Sequence, residues 1–251
     1  MITAITAVIL FGCLVGVVVL GRYTRRYLPE DHLSAESKDA VKLAMSLVAT
    51  MTALLLGLLI SSAKGTYDTV RGEVSQMAAK VAFLDRVLAA YGPEAADARA
   101  KCRDVVADAV RRMWPEESSG SAQMAPNEQA GDVLYFAVIH LSPHDDVQRA
   151  LKTQAASVMV DLAELRSLLQ AQALPSISRP LLLAVVSWLV VIFFCFSLVT
   201  PPNGTTTLAL VASAFSVACA LFLILELDHP LSGLIRVPSE PIVNVLNHLG
   251  K

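Results

Sequence analysis

Ionised side chains are spaced very unevenly along this chain. None precedes Arg22, none lies between Lys42 and Lys64, and none lies between Arg179 and Glu226. The third gap is broken near its middle by Thr200-Pro201-Pro202-Asn203-Gly204. A bilayer core about 30 Å thick takes roughly 20 apolar residues at 1.5 Å each. The first two gaps each fit one helix. The third fits two, because Pro-Pro-Asn-Gly cannot continue a helix. Four spans are therefore expected, at about 2–20, 43–63, 180–200 and 205–225.

Beyond Lys64 the pattern changes. Apolar residues fall at Tyr67, Val70, Val74, Met77, Val81, Leu84, Leu88 and Tyr91, in alternating steps of three and four, the seam of a heptad helix. No proline interrupts Ala35 to Tyr91, so span 2 is expected to continue as one helix out of the bilayer. Gly92-Pro93 stops it and opens a second helix over about 93–114, with Ala96, Ala100, Val106, Val110 and Met113 on one face. The Ser-, Gly-, Pro- and Glu-rich stretch 115–130 reads as a disordered loop, followed by a short apolar piece from Val133 to Leu141. Ser142, Pro143, Asp145 and Asp146 read as a helix start with Ser142 as cap. The helix behind carries Val147, Leu151, Ala155, Val158, Leu162, Leu165 and Leu169. Ala173 to Arg179, with Pro175, leads back to the membrane. The tail from Pro238, with Ile242, Val243, Val245, Leu246 and Leu249, reads as a short amphipathic helix on the bilayer surface.

Composition agrees with this pattern. Of 251 residues, 55% are hydrophobic and only 17% charged, against roughly 25% charged in an ordinary soluble domain. A mean hydropathy of +0.57 excludes a mainly disordered chain, and four bilayer-length gaps are too many for a soluble core this small. The net charge of -2 gives no concentrated basic face for nucleic acid. Cys13, Cys102, Cys195 and Cys219 have neither zinc spacing nor the density of a disulfide scaffold.

The first span is expected to stay in the protein. Met1 to Ala4 carries no Lys or Arg, no small-x-small site follows Leu20, and Phe11 is bulky where a lipoprotein box needs a small residue. The Lys and Arg flanking the spans balance: Arg22, Arg25, Arg26, Lys38 and Lys42 against Lys64, Arg71, Arg166, Arg179 and Arg236. The first helix breaks the tie. Its three following arginines place both termini outside the cytoplasm, and the central segment in the periplasm of a bacterial inner-membrane protein.

Little in the chain suggests catalysis. His140 and His144 are four apart beside Asp145 and Asp146, but Pro143 breaks the helix that would put both imidazoles on one face. A helix cap with a solvated loop explains them better than a metal. There is no phosphate loop, nucleophile elbow, Cys-x-x-Cys pair or His-Glu-x-x-His run. No enzyme activity, cofactor or metal is expected. The spans contain no Asp, Glu, Lys, Arg or His at mid-depth, which argues against a proton-coupled pump and leaves room for a passive pore. Span 2 carries a stripe of Ser46, Thr50, Ala53, Gly57, Ser61 and Lys64; span 4 carries Ala209, Ala212, Ser216 and Ala220. Such small residues commonly serve close helix packing. The alternative is a pore face, with Ser46, Thr50 and Ser61 offering hydroxyls to ions.

Several motifs carry a resemblance. Leu84-Asp85-Arg86 with Tyr91-Gly92-Pro93-Glu94, Trp188 with Phe193-Phe194, and the turn Pro201-Pro202-Asn203 belong to it. So do Leu223-Ile224-Leu225-Glu226-Leu227-Asp228-His229-Pro230 and Ser232-Gly233-Leu234-Ile235. Together they resemble the bacterial four-transmembrane bestrophin-like family, over about 35–115 and 180–245. The resemblance implies kinship with bestrophins, pentameric anion channels, and hence an oligomeric ion channel. Bestrophins line their neck with bulky aromatics on the second span; span 2 here has none. Glu226 and Asp228 fall where span 4 leaves lipid, with Arg236 beyond the following turn. They suit an interfacial ion pair or, with Lys64, a ring of charge at a pore mouth.

The expectation is thus an all-α polytopic membrane protein. Its parts are 1–63 with spans 1 and 2, an extramembrane helical bundle at 64–179, 180–225 with spans 3 and 4, and an interfacial segment at 226–251. A homo-oligomeric passive ion channel with span 2 nearest the pore is the leading reading, its partners lipid, inorganic ions and copies of itself. A non-conducting envelope scaffold or sensor, binding a partner through its helical stalk, is the alternative.

Overall fold

A computed structural model describes residues 2–27, 29, 34–114, 128–172, 177–231 and 233–250. The expectations for 115–127, 173–176 and Ser232 lie outside these residues. All regular elements among them are helical. They are α1 (Ile2–Arg25), α2 (Ala35–Tyr91), α3 (Ala96–Met113), α4 (Glu128–Ile139), α5 (Asp146–Gln172), α6 (Arg179–Val199), α7 (Gly204–Leu227) and α8 (Glu240–Leu246). Four of them, α1, α2, α6 and α7, are long and apolar enough to cross a membrane. In a bilayer the backbone has no water to bond, so an apolar run must close its own hydrogen bonds as a helix. This is a four-span membrane protein with a helical segment inserted between spans 2 and 3.

The helix ends follow local chemistry. Ser34 starts α2: its Oγ accepts from the Ser37 N–H at 3.2 Å, and its carbonyl from the Lys38 N–H. Gly92, at φ 119°, ends it in a conformation that L side chains rarely adopt, and Pro93 begins the 3-10 turn Pro93–Ala95 leading to α3. Between α6 and α7 the turn closes as the sequence implies. Thr206 Oγ1 donates to the carbonyls of Pro201 and Asn203 at 2.7 and 2.9 Å.

The chain forms two compact units, Met1–Gly65 with Pro175–Asp228, and Thr66–Leu174 with His229–Lys251. In the first, α1 packs against α6 and α7, and the core joins Leu14, Val18, Leu59, Val185, Phe193 and Leu221. The α1–α6 approach is very close at one point. A Cβ added to Gly21 would lie 2.6 Å from Ser197 Oγ, and that hydroxyl, fully buried, donates to the Val18 carbonyl at 2.6 Å. Small side chains let helices meet where lipid provides no hydrophobic drive. Next to this contact, Arg25 donates to the carbonyls of Leu198, at 3.1 Å, and Thr200. A cation there satisfies the last turn of α6 and its dipole.

In the second unit the expected seam of α2 is the core. Val70, Val74, Val81, Leu84, Leu88 and Tyr91 are buried, and Tyr67 and Met77 pack at its edge. Some details differ from expectation. The buried positions of α3 are Ala98, Cys102 and Val106, with Ala96 and Ala100 exposed; alanine is too weakly apolar to mark a face by itself. The helix α4 already begins at Glu128, inside the stretch expected to be loop. Asp145, not Ser142, caps α5: its Oδ1 accepts from the Gln148 N–H at 2.6 Å, and the Gln148 side chain returns to the His144 N–H. The tail also finds a different partner. Ile242 and Leu249 are buried in the core formed by α2, α3, α4 and α5, so its apolar face is covered by protein.

The Gly21 contact makes a prediction. Gly21→Val should lower the stability of the purified full-length protein by about 1–3 kcal/mol through overpacking. Gly16→Ala, where an added Cβ meets nothing within 4 Å, should leave the melting temperature unchanged or raise it. Equal melting of Gly21→Val and parent would refute the close approach.

Candidate functional site

The site begins with how α2 divides its faces. Within the first unit it buries Thr52, Leu59 and Ala63, with Leu55 and Leu56 packed beside them. Ser46, Thr50, Ala53, Gly57, Ser61 and Lys64 are all exposed. At 100° per residue this stripe lies about 140° around the axis from the packed face. The chain's own packing therefore leaves the stripe uncovered. Flanking it on one side are Leu43, Leu47, Leu54 and Leu58, each more than half exposed. Outward α2 thus shows two surfaces, one of large aliphatic side chains and one of small and hydroxyl residues. Lipid solvates the first well. The second offers lipid little to contact.

Two of the stripe's hydroxyls are internally satisfied as donors. Ser46 Oγ donates to the Leu43 carbonyl at 2.7 Å, and Thr50 Oγ1 to the Ser46 carbonyl at 2.8 Å. Their oxygens keep lone pairs to offer outward. Thr52, on the packed face, likewise donates to Val48 at 2.8 Å.

The charged candidates separate. Glu226 and Asp228 are only 1% and 3% exposed; Asp228 is the C-cap of α7. Lys64 is exposed, and all three are engaged in polar interactions within the chain. Arg236, also exposed, donates Nε to the Gly233 carbonyl at 2.7 Å. The histidines take local roles: His140 Nδ1 lies 2.7 Å from the Phe136 carbonyl, and the His144 N–H serves the α5 cap.

The motif residues of the second unit are structural. Arg99 clamps Asp85 through Nε and Nη2 at 2.8 and 3.0 Å, both side chains being largely buried. The Asp85 carboxylate raises the Arg99 pKa above its ordinary value. Burial, then the charges of Glu94 and Asp145, raise the Tyr91 phenol. The Tyr91 carbonyl accepts from Gln148 Nε2 at 3.0 Å, joining α2 to the start of α5.

The bestrophin-like domain model matches residues 12–242. The chain belongs to the bestrophin-like family. Among solved structures, three of a bacterial bestrophin homolog from Klebsiella pneumoniae are similar to it, each covering 97% of both chains. The form with an isoleucine-to-threonine substitution gives a TM-score of 0.73 at 14% identity. Those with leucine-to-threonine and tyrosine-to-alanine substitutions give 0.71 and 0.72, both at 12%. The likeness is one of fold. No curated protein matches the chain.

For this bestrophin-like chain the sequence identified the stripe but not the Gly21–Ser197 contact or the Arg25 cap, since no local spacing pairs residues from α1 and α6. The only signal was a glycine ending an apolar run with arginines just after it. The Asp85–Arg99 clamp leads to a second prediction. Arg99→Lys should cost about 1–2 kcal/mol in thermal unfolding, because an ammonium cannot reproduce the two-point fork. An unchanged melting curve would show the clamp to be dispensable.

Proposed function

We propose that this chain is one subunit of a homo-oligomeric passive ion channel of the bacterial inner membrane. In this reading α2 stands nearest the axis and turns Ser46, Thr50, Ala53, Gly57 and Ser61 towards it. The observation that carries it is the uncovered stripe opposite the face that α2 packs against its own chain. No ionised side chain lies between Lys42 and Lys64, so conduction would use hydroxyl and backbone oxygens and apolar constrictions rather than a proton relay. Membership of the bestrophin-like family supports a channel. Lys64, one turn beyond Ser61, is the charge on this face best placed to bias ion entry. Glu226 and Asp228, being buried, serve the end of α7 better than an open ring of carboxylates.

Reconstitution in planar bilayers tests this. In a variant whose four native cysteines are replaced, Thr50→Cys should lose most of its conductance on treatment with a charged methanethiosulfonate. Leu58→Cys, on the aliphatic surface about 80° round the helix from Thr50, should be unaffected. Lys64→Glu should shift the reversal potential in a salt gradient towards the cation's equilibrium value. Electrical silence, or equal block at Leu58 and Thr50, would overturn the reading. Silence together with one stoichiometric partner, lost when 66–91 is replaced, would favour a scaffold.

The arginines after α1 further support a periplasmic 66–174 segment and C-terminus. Alkaline phosphatase fused after Lys251 should then be active in cells; an inactive fusion that is present in full would reverse the orientation.

A further inference from the structure

The second unit contains a cavity of about 570 Å³ among α2, α3, α4, α5 and α8. That is the size of a small-molecule site. Its wall is mainly apolar, including Met77, Val81, Val106, Leu134 and Met159, and the methionines supply a surface that adapts to an irregular chain. Cys102 also lines it, and burial pushes its thiol up to about 12. The thiol is thus neutral at physiological pH and adds to the apolar wall.

Among the described lining residues, the charged ones are Arg112, Arg166, Asp108 and Asp132, all partly or fully exposed. Arg112 is committed: its Nε pairs with Asp108 at 2.8 Å. Arg166 is half-buried, and no carboxylate pairs with it among the described residues. Its Nη1 stands 3.3 Å from where a Cβ on Gly131 would be, so the absence of a side chain there leaves the guanidinium room. Asp132 is exposed and, close to the same opening, disfavours a multiply charged head group. A greasy cavity with a guanidinium at its mouth that no carboxylate among the described residues pairs with complements a long apolar tail ending in a single negative charge.

We propose that this cavity binds a single-chain, monoanionic amphiphile, its aliphatic chain among the methionines and its head group on Arg166. The site is independent of the pore and of whether the protein conducts.

The test uses the full-length protein in lipid nanodiscs, with radiolabelled decanoate at pH 8 in equilibrium dialysis and uptake by empty discs subtracted. One saturable site per chain is expected. Arg166→Gln should weaken it about tenfold or more, the cost of losing a charge-assisted contact. Asp132→Asn should tighten it, and decyltrimethylammonium, which has the same chain and the opposite charge, should not compete. Val106→Phe, which fills the cavity, should abolish binding. Arg166→Gln sits at the rim and is expected to melt like the parent, so the test stands even if the filled variant fails to fold. Uptake equal to that of empty discs, saturable binding indifferent to Arg166, or equal competition by the cation would each overturn the proposal.

Discussion

The structure depends on how one long helix uses its circumference in a solvent that bonds to nothing. α2 packs one face against its own chain and leaves the remainder to the surroundings. Were that remainder uniformly leucine, lipid would solvate it and the chain could be complete as a monomer. It is divided instead, with Leu43, Leu47, Leu54 and Leu58 on one sector and the hydroxyl and small residues on the next. A surface of Ser, Thr, Ala and Gly gains little from acyl chains and much from another helix or from water. The oligomeric channel reading follows from that asymmetry.

The other spans are tied to one another. The Gly21–Ser197 contact brings α1 and α6 together, Phe11 and Phe215 meet edge-to-face at 5.9 Å, and Arg25 closes the end of α6. The positive charges after the first span therefore do structural work in addition to any orienting role. In the second unit, the Asp85–Arg99 clamp and the Gln148 bonds hold the helix ends, and Trp114 Nε1 donates to the Val237 carbonyl at 2.8 Å. Gln172 Nε2, half-buried, donates to the buried Glu73 at 2.6 Å, a polar tie beside an otherwise apolar seam.

Where the sequence was legible, one strong local rule applied. Gaps in charge marked all four spans, because burying an ion in lipid is costly enough to exclude it. The three-and-four spacing from Tyr67 to Tyr91 identified the seam, because eight sizeable apolar residues leave one choice of face. The α3 face was harder to read, since its apolar residues are mostly alanine and valine among charges, and tertiary contact decided between neighbouring registers. The α5 cap went to Asp145 because Pro143 holds the preceding residues extended. The tail shows a general limit: an amphipathic stretch reveals that one side must be covered, not whether lipid or protein covers it. The same limit applies to the stripe on α2, whose residue types are visible in the sequence but whose exposure is not.

The most direct measurement is an image of the assembled full-length particle in lipid, at a resolution that places side chains. The account predicts several copies around a central opening, with Thr50 and Gly57 turned to the axis and Leu58 to lipid or to a neighbouring helix. A lone chain, or a ring whose axis is lined by α6 or α7 with Thr50 facing acyl chains, would contradict it.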